Sequence, residues 1–318
     1  MEPTKPRPVI AIVGPTAVGK SALAESIALE LGGEIVSADA MQVYRGMDIG
    51  TAKPPVYDRR VPYHCLDLVD PGVAYSAALF QRDARAAIDD ILGRGVLPVV
   101  CGGTGMYVRA ALDDWEFPAG ERETPRRAEL EALADELGTK GLHARLSDVD
   151  PAAAAQIHPN NVRRVIRALE MAEEGTSYAE QAGRFATRRS VFDTMFIGLT
   201  MERPALYARI DARVDGMVAA GLLREVESLI DAGYADALTA TQAIGYKELV
   251  PVVLDGAPVE AAVEDIKRAS RRYAKRQLTW FRADPRVIWL DVTGSSPAES
   301  AASALELIEL KAESFRHS

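Results

Sequence analysis

Eight residues near the start of the chain constrain its fold more than any other stretch. Gly14-Pro15-Thr16-Ala17-Val18-Gly19-Lys20-Ser21 match G-x-x-x-x-G-K-[S/T] at every fixed position. A loop of this kind works between a strand and a helix, and both flank it. Residues 8–13 form a short apolar run with the pattern of a buried parallel strand, and residues 21–29 read as a helix that Gly32-Gly33 can end. Loop amides and the first helical turn then converge on one spot and favour an anion there. Lys20 adds a point charge, and the Ser21 hydroxyl suits Mg²⁺. The loop specifies a diphosphate or polyphosphate. It does not say which, or whether a phosphoryl group moves.

Further strand-like runs follow at 34–38, 63–69, 96–101, 191–199 and 287–291, separated by helical patterns at 76–94, 203–220, 222–232 and 259–282, and a last helix at 296–313. Another helix is expected to start over 241–249. Around Phe117-Pro118 the character changes. To about residue 189 the chain is charged, Ala-rich and without strand signal, and Thr124-Pro125 and Asp150-Pro151 each pair a helix cap with proline at the first helical position. The expected class is α/β: a P-loop parallel-sheet core made of residues 1–117 and 191–318, an inserted all-helical subdomain over 118–190, and a helical C-terminal part.

Several residues outside the loop are candidates for function. Asp39 follows the second strand, at the edge where open parallel sheets bind ligands. Residues 39–54 have no clean period, and a functional loop and a solvated connection fit them equally. The strand at 96–101 runs into Gly102-Gly103-Thr104-Gly105, without the acid that often holds Mg²⁺ at that point in P-loop hydrolases, which weakens a hydrolase reading. That tight turn suits backbone and hydroxyl contacts to a ligand, or simply leads into a helix. On the helix from Asn160, Arg163, Arg164 and Arg167 lie apart from the apolar face of Val162, Val165, Ile166 and Leu169. They form either a solvated face or a polyanion contact. The 259–282 helix interleaves Lys267, Arg268, Arg271, Arg272, Lys275, Arg276 and Arg282 with Tyr273, Trp280 and Phe281, as a nucleic-acid site or a charged surface over a core would.

Composition removes several classes. At 48% hydrophobic and 26% charged residues over 318 positions, the chain is globular and not disordered. No apolar run reaches the roughly 20 residues that span a bilayer, and residues 1–8 carry no apolar signal core, so a cytoplasmic protein without membrane contact is expected. Cys65 and Cys101 make no disulfide framework, and with four His and no C-x-x-C there is no zinc signature. The net charge of −9 means that any nucleic-acid contact depends on local basic patches.

Taken together, the loop Gly14–Ser21, the run from Ser37-Ala38-Asp39-Ala40-Met41-Gln42-Val43-Tyr44 through Ile49-Gly50-Thr51-Ala52-Lys53-Pro54, the Gly102-Gly103-Thr104 turn, His158-Pro159-Asn160 with residues 163–170, and Lys275-Arg276-Gln277-Leu278-Thr279-Trp280-Phe281-Arg282 closely resemble the tRNA dimethylallyltransferases, also called tRNA isopentenyltransferases. The resemblance covers nearly the whole chain in order, and residues 49–54 are its most diagnostic part. The family commonly has Ser where this chain has Ala40, so no side-chain role falls on that position. The zinc-finger tail of eukaryotic members is absent, which implies a bacterial type.

The resemblance implies transfer of a dimethylallyl group from dimethylallyl diphosphate to N6 of adenosine 37 in the tRNA anticodon stem-loop, with diphosphate released. It assigns the donor to Gly14, Pro15, Thr16, Ala17, Val18, Gly19, Lys20 and Ser21, with Mg²⁺ at Ser21. Arg213 is the match for a family arginine in the helix after the fifth strand. Asp39 matches the general base, beside Lys20 and Thr16 as catalytic residues. Asp39, Ala40, Met41, Gln42, Thr104, Arg163, Arg164, Val165, Ile166 and Arg167 match tRNA-contacting positions, with Arg127 as a further one. A monomer suffices. Other readings remain open: a P-loop small-molecule kinase with the insertion as lid, a prenyltransferase for free adenine nucleotides, and a non-enzymatic RNA partner, against which Asp39 beside the loop argues.

Overall fold

The computed structural model describes residues 7–117, 124–235, 237 and 242–316, and the side chains to residue 311. In chain order it holds β1 (Pro8–Val13), α1 (Lys20–Leu31), β2 (Gly33–Ser37), β3 (Tyr63–His64), α2 (Ala77–Gly93), β4 (Leu97–Gly102) and α3 (Gly105–Leu112). The helices α4 (Pro125–Val149), α5 (Pro151–Gln156), α6 (Val162–Glu173) and α7 (Tyr178–Ala186) come next. The chain then returns through β5 (Asp193–Thr200), α8 (Arg203–Ala219), α9 (Leu222–Asp231), α10 (Val250–Asp255), α11 (Val259–Arg282), β6 (Val287–Asp291) and α12 (Pro297–Arg316).

The six strands form one parallel sheet in the order β3-β2-β4-β1-β5-β6. β1 and β2 are buried almost end to end. Helices cover both faces of such a sheet, which is why these strands read as continuous apolar runs. β1, β2 and β4 are neighbours, so the segments leaving their C-terminal ends share one edge: the phosphate loop, Asp39, and the Gly103-Thr104 turn. The approach is close. Ala38 N donates to Cys101 O at 2.8 Å, and a side chain at Gly102 would collide with the Ala38 carbonyl at 2.1 Å.

Two expected elements are corrected. The strand over 63–69 is only Tyr63–His64, because Cys65 (φ 62°) and Asp67 (φ 54°) take left-handed backbone, and a strand ends there. Residues 67–69 instead run against residues 42–43, where Asp67 N donates to Gln42 O and Val69 N to Val43 O, both at 3.1 Å. The helix expected to start over 241–249 is a series of turns from Gln242, interrupted at Gly245 (φ 98°), and helix resumes only at Val250. Thr241 itself lies outside the described residues, as does Pro118 at the expected border of the insertion.

Packing divides the chain into two compact units, one of Met1–Asp113 with Ser190–Ser318 and one of Asp114–Arg189. The second has no strand among its described residues. Its core is Leu130, Leu142, Leu146, Ala153, Ile157, Val165, Ile166 and Leu169. Thr124 and Asp150 cap α4 and α5 by accepting from Arg127 N and Ala153 N at 3.1 and 2.9 Å, with proline at the first helical position of each. Among the described residues no helix is long and apolar enough to cross a membrane.

Candidate active site

The phosphate loop is shaped by Gly14 (φ 140°), Ala17 (φ 64°) and Gly19 (φ 108°). A side chain at Gly14 would meet the Leu199 carbonyl at 2.7 Å, so only glycine passes that point. α1 starts at Lys20 without a side-chain cap, which leaves its first amides for an anion. Lys20 Nζ donates to Pro15 O at 2.6 Å. Burial lowers its pKa to about 8, the Arg213 charge acts in the same direction, and Asp39 opposes both. Burial also lowers the pKa of Arg213, again against the field of Asp39. A polar pocket of about 240 Å³ opens here, lined by Ala17, Gly19, Lys20, Ser21, Ala22, Arg209 and Arg213. Three cations and no carboxylate line it, within a protein of net charge −9. That is the electrostatic signature of a site for a multiply charged anion. Arg209 is not among the residues expected from the sequence. Its signal is its place one helical turn before Arg213 on α8.

Asp39 lies beside this pocket, in the electrostatic field of Lys20 and Arg213. Its Oδ1 accepts from Met41 N at 2.9 Å, which orients the carboxylate. Thr104 Oγ1 accepts from the next amide, Ala40 N, at 3.1 Å. Thr104 also meets the hydroxyl of Tyr273, whose pKa burial pushes up to about 12, with Asp39 adding to the rise. Behind them stands Gln277, 5% exposed. Its Oε1 accepts from Thr16 N at 2.8 Å and its Nε2 donates to Gly103 O at 2.9 Å. One carboxamide therefore ties the phosphate loop to the Gly103-Thr104 turn.

The stretch Ile49–Pro54 is held as a scaffold. Lys53, its side chain 2% exposed, donates to Tyr44 O at 2.8 Å and to Asp48 and Asp67 carboxylates, each at 2.6 Å. Gln42 donates to Thr51 O at 3.1 Å and accepts from Ser37 Oγ at 2.8 Å, so it anchors this stretch to the end of β2. Glu225 on α9 gathers the amides of Asp48, Ile49 and Gly50 at 2.7 to 3.1 Å and accepts from Tyr246 Oη at 2.5 Å. Any side chain at Gly50 would strike the Tyr246 ring at 2.5 Å. Gly50, Thr51 and Tyr246 thereby become one fixed wall of a second cavity.

That cavity, about 420 Å³, runs from Thr16, Ala17 and Arg213 past Asp39, Met41 and Thr104. Ile210, Val214 and Met217 from α8 and Ile266 and Ala269 from α11 give it an apolar wall, and Arg272, Tyr273 and Arg276 a polar one. The basic run of α11 divides by role. Lys267 pairs with Asp215 at 2.7 Å, Arg271 pairs with Asp211 at 2.5 Å, and Arg268 pairs with Asp265. Arg272 and Arg276 face the cavity, while Lys275 and Arg282 are exposed.

In the all-helical unit, Arg163 and Arg164 are exposed on α6, and Arg167 is half-buried, 3.5 Å from Glu170. Val165 and Ile166 are 0% and 2% exposed and belong to that unit's core, so their side chains hold the helix in place and do not face a ligand. Arg127 pairs with Glu131 and Glu170 at 3.2 and 3.3 Å.

Known proteins resemble this chain over most of its length. A family model described as IPP transferase matches residues 42–284, and one described as isopentenyl transferase matches residues 7–59. The chain is 48% identical over 311 residues to a tRNA dimethylallyltransferase of Geobacillus thermodenitrificans, covering 97% of each. It is 49% identical over 291 residues to one of Thermomicrobium roseum, covering 91% of this chain and 88% of the relative. Among solved structures it is similar to a tRNA isopentenylpyrophosphate transferase of Bacillus halodurans, at 43% identity and TM-score 0.72, covering 98% and 100% of the two chains. A eukaryotic dimethylallyltransferase acting on tRNA matches at 30% identity and TM-score 0.76, over 90% of this chain and 74% of that one.

Proposed function

We propose, from the premise that this chain belongs to the tRNA dimethylallyltransferase family, a residue-level account of how it prenylates tRNA. The protein is a transferase of tRNA modification. Its donor on this reading is dimethylallyl diphosphate, and its acceptor is N6 of adenosine 37, beside the anticodon. The observation that carries the account is that the cationic pocket at Lys20, Arg209 and Arg213 and a part-apolar cavity lined by Asp39 share Ala17 and Arg213 as walls.

The diphosphate occupies the cationic pocket and the dimethylallyl group enters the cavity. N6 attacks C1 of the allyl group, the C1–O bond breaks, and its electron pair leaves on the diphosphate. Asp39 takes the proton that N6 sheds. Charge grows on the leaving group as the bond breaks, so the loop amides, Lys20, Arg209 and Arg213 stabilise the transition state more than the bound donor. The adenine must leave its stack to reach the cavity, which costs a few kcal/mol.

A single protein hydroxyl, Ser21, at the edge of an anion pocket fits Mg²⁺, which keeps most of its shell as phosphate oxygens and water. Among the described residues no cluster of three or more His, Cys, Asp or Glu offers a dedicated metal cage. Bound there with the donor, Mg²⁺ would neutralise developing diphosphate charge. Arg163 and Arg164 offer exposed charge for the phosphates of the anticodon stem. A monomer suffices for this reading, and tRNA as acceptor fits a cytoplasmic enzyme.

The test is labelled dimethylallyl diphosphate offered with unmodified tRNA, with AMP, and with ATP as competitor. Label should pass to tRNA alone, and ATP should be neither hydrolysed nor required. Label in AMP, or phosphoryl transfer from ATP, would replace this reading.

A further inference from the structure

We infer that the length of the donor's hydrocarbon chain is limited by Met217 of α8 and Ile266 of α11, which form a stop at the far end of the cavity from the phosphate loop. The inference rests on dimethylallyl diphosphate as donor and adds the residues that select a five-carbon group.

α8 and α11 run antiparallel, and two ion pairs fix their register: Asp211 with Arg271, and Asp215 with Lys267. Stepping along α8 away from the loop is therefore stepping backwards along α11. In this register Met217 stands level with the turn that carries Ile266. At the other end, Gln277 of α11 holds the Thr16 amide of the phosphate loop. Ile266 precedes Arg276, the cavity-lining residue next to Gln277, by ten positions, so the cavity wall extends about 15 Å along α11 at 1.5 Å per residue.

The contents of that length can be assigned. Arg213 lines the cationic pocket and the cavity alike, and so marks where the head of the donor meets its tail. Ile210, Val214 and Met217 recur at helical spacing and make one apolar stripe, and Met217 lies four positions, about 6 Å, beyond Arg213. A dimethylallyl group spans roughly 5 Å of zigzag carbon chain, about one helical turn, and each further isoprene unit adds about the same. Five carbons that start at Arg213 lie against Val214 and end short of Met217. A ten-carbon chain would have to pass the level of Met217 and Ile266. Ile266 is 2% exposed and branched at Cβ, with little rotamer freedom to move aside. Met217 is unbranched and fills the remaining gap. Asp39, Thr104 and Arg276 line the cavity as well, but a prenyl chain gains nothing against them, so the α8 stripe is its path.

The experiment compares dimethylallyl and geranyl diphosphates as donors to unmodified tRNA. The readouts are the kcat/KM ratio of the two donors and the mass of the modified nucleoside after digestion. The wild-type enzyme should use the five-carbon donor and discriminate against geranyl at least as strongly as pockets reject one excess methylene, roughly 10–200-fold. Met217→Ala, Ile266→Ala and the double variant should move that ratio toward geranyl by about tenfold or more. A general loosening of the fold would slow both donors alike and leave the ratio unchanged. In the opposite direction, Ala269→Leu narrows the same wall. It should raise the KM for dimethylallyl diphosphate while tRNA affinity stays, which keeps the idea testable if the shortened variants fail to fold. Folded variants with an unaltered donor ratio, or Ala269→Leu with an unaltered donor KM, would overturn the stop. A wild-type enzyme that ignores dimethylallyl diphosphate would overturn the donor reading itself, and the inference with it.

Discussion

The backbone N–H of Thr16 donates to Gln277 Oε1 at 2.8 Å, across 261 positions of sequence. The other end of the same carboxamide holds Gly103 O at 2.9 Å, where a side chain on Gly103 would approach Gln277 Nε2 to 2.1 Å. Two loops that on the proposed mechanism act on one donor are thereby set by one buried group. Gln277→Ala would leave the Thr16 amide and Gly103 carbonyl without this partner, at a cost of about 1–3 kcal/mol for each group that water does not reach. The expected outcome is a lower melting temperature together with a kcat/KM for the donor reduced by roughly 10²-fold, because a misplaced phosphate contact is a transition-state contact. Melting curves and donor kinetics on one preparation check it. A variant that melts lower but keeps its donor kinetics would reduce Gln277 to a stabilising contact.

Lys20 carries a pH dependence with a definite sign. Burial brings its pKa down to about 8, so the charged form is lost as pH rises through 8, well before an exposed lysine would lose it. Diphosphate favours the charged form. Relative to Lys20→Arg, the parent's dissociation constant for diphosphate should rise above about pH 8. Lys20→Arg, whose guanidinium stays charged, should bind more weakly but without that rise. Lys20→Ala should lower turnover by roughly 10²–10³-fold, the usual weight of one such contact. Titration of inorganic diphosphate across pH into parent and Lys20→Arg side by side measures the first effect, because the ligand's own protonation is common to both.

Arg163 and Arg164 differ from Arg167 in their surroundings, and the difference is testable. The first two are exposed, whereas Arg167 is half-buried and stands 3.5 Å from Glu170. Each arginine that neutralises a tRNA phosphate adds about one unit to the slope of log affinity against log salt. Arg163→Ala and Arg164→Ala should each weaken tRNA binding and reduce that slope by about one, and Arg167→Ala by less. Dimethylallyl diphosphate affinity should not change. An unaltered salt slope in the first two would make α6 a solvated face.

The sequence discloses the parts of the site whose chemistry is written in contiguous residues. The phosphate loop, Asp39 at a strand end and the Gly103-Thr104 turn are legible because fixed spacing on β1, β2 and β4 dictates where they emerge. Gln277, Arg209 and Glu225 are not, since each acts on a segment far away in sequence and the fold alone brings them together. The segment Ile49–Pro54 shows the difference between a signature and a ligand site. Lys53 is consumed by Asp48, Asp67 and a carbonyl, and Gly50 gives room to Tyr246, so the most distinctive residues serve as a scaffold for the cavity wall. The third strand is shorter than its apolar run because Cys65 and Asp67 adopt left-handed backbone, which non-glycine residues do not advertise. Val165 and Ile166 match tRNA-contacting positions by resemblance, but the apolar face they share with Val162 and Leu169 places their side chains in the core of the helical unit.

On the proposed mechanism Asp39 takes the proton, and its surroundings make a clean experiment possible. Its Oδ1 accepts from Met41 N at 2.9 Å. Asparagine retains an oxygen for that bond, so Asp39→Asn should keep the local turn and melt close to the parent, while losing the ability to take a proton. As general base its removal should lower the single-turnover rate by roughly 10²–10⁴-fold with near-normal tRNA binding. One secondary effect must be separated. The Asp39 charge raises the Lys20 pKa, so the variant's lysine loses its proton at lower pH than the parent's. Donor affinity should therefore be compared at about pH 6.5, where Lys20 is charged in both proteins. At that pH a base leaves donor affinity intact and slows the chemical step. A residue that serves Mg²⁺ instead weakens donor binding, with partial recovery at high Mg²⁺. A residue that only shapes the turn lowers stability and leaves the rate. Single-turnover rate, donor affinity and melting temperature on one Asp39→Asn preparation distinguish the three, and a parental single-turnover rate would remove Asp39 from the proton transfer.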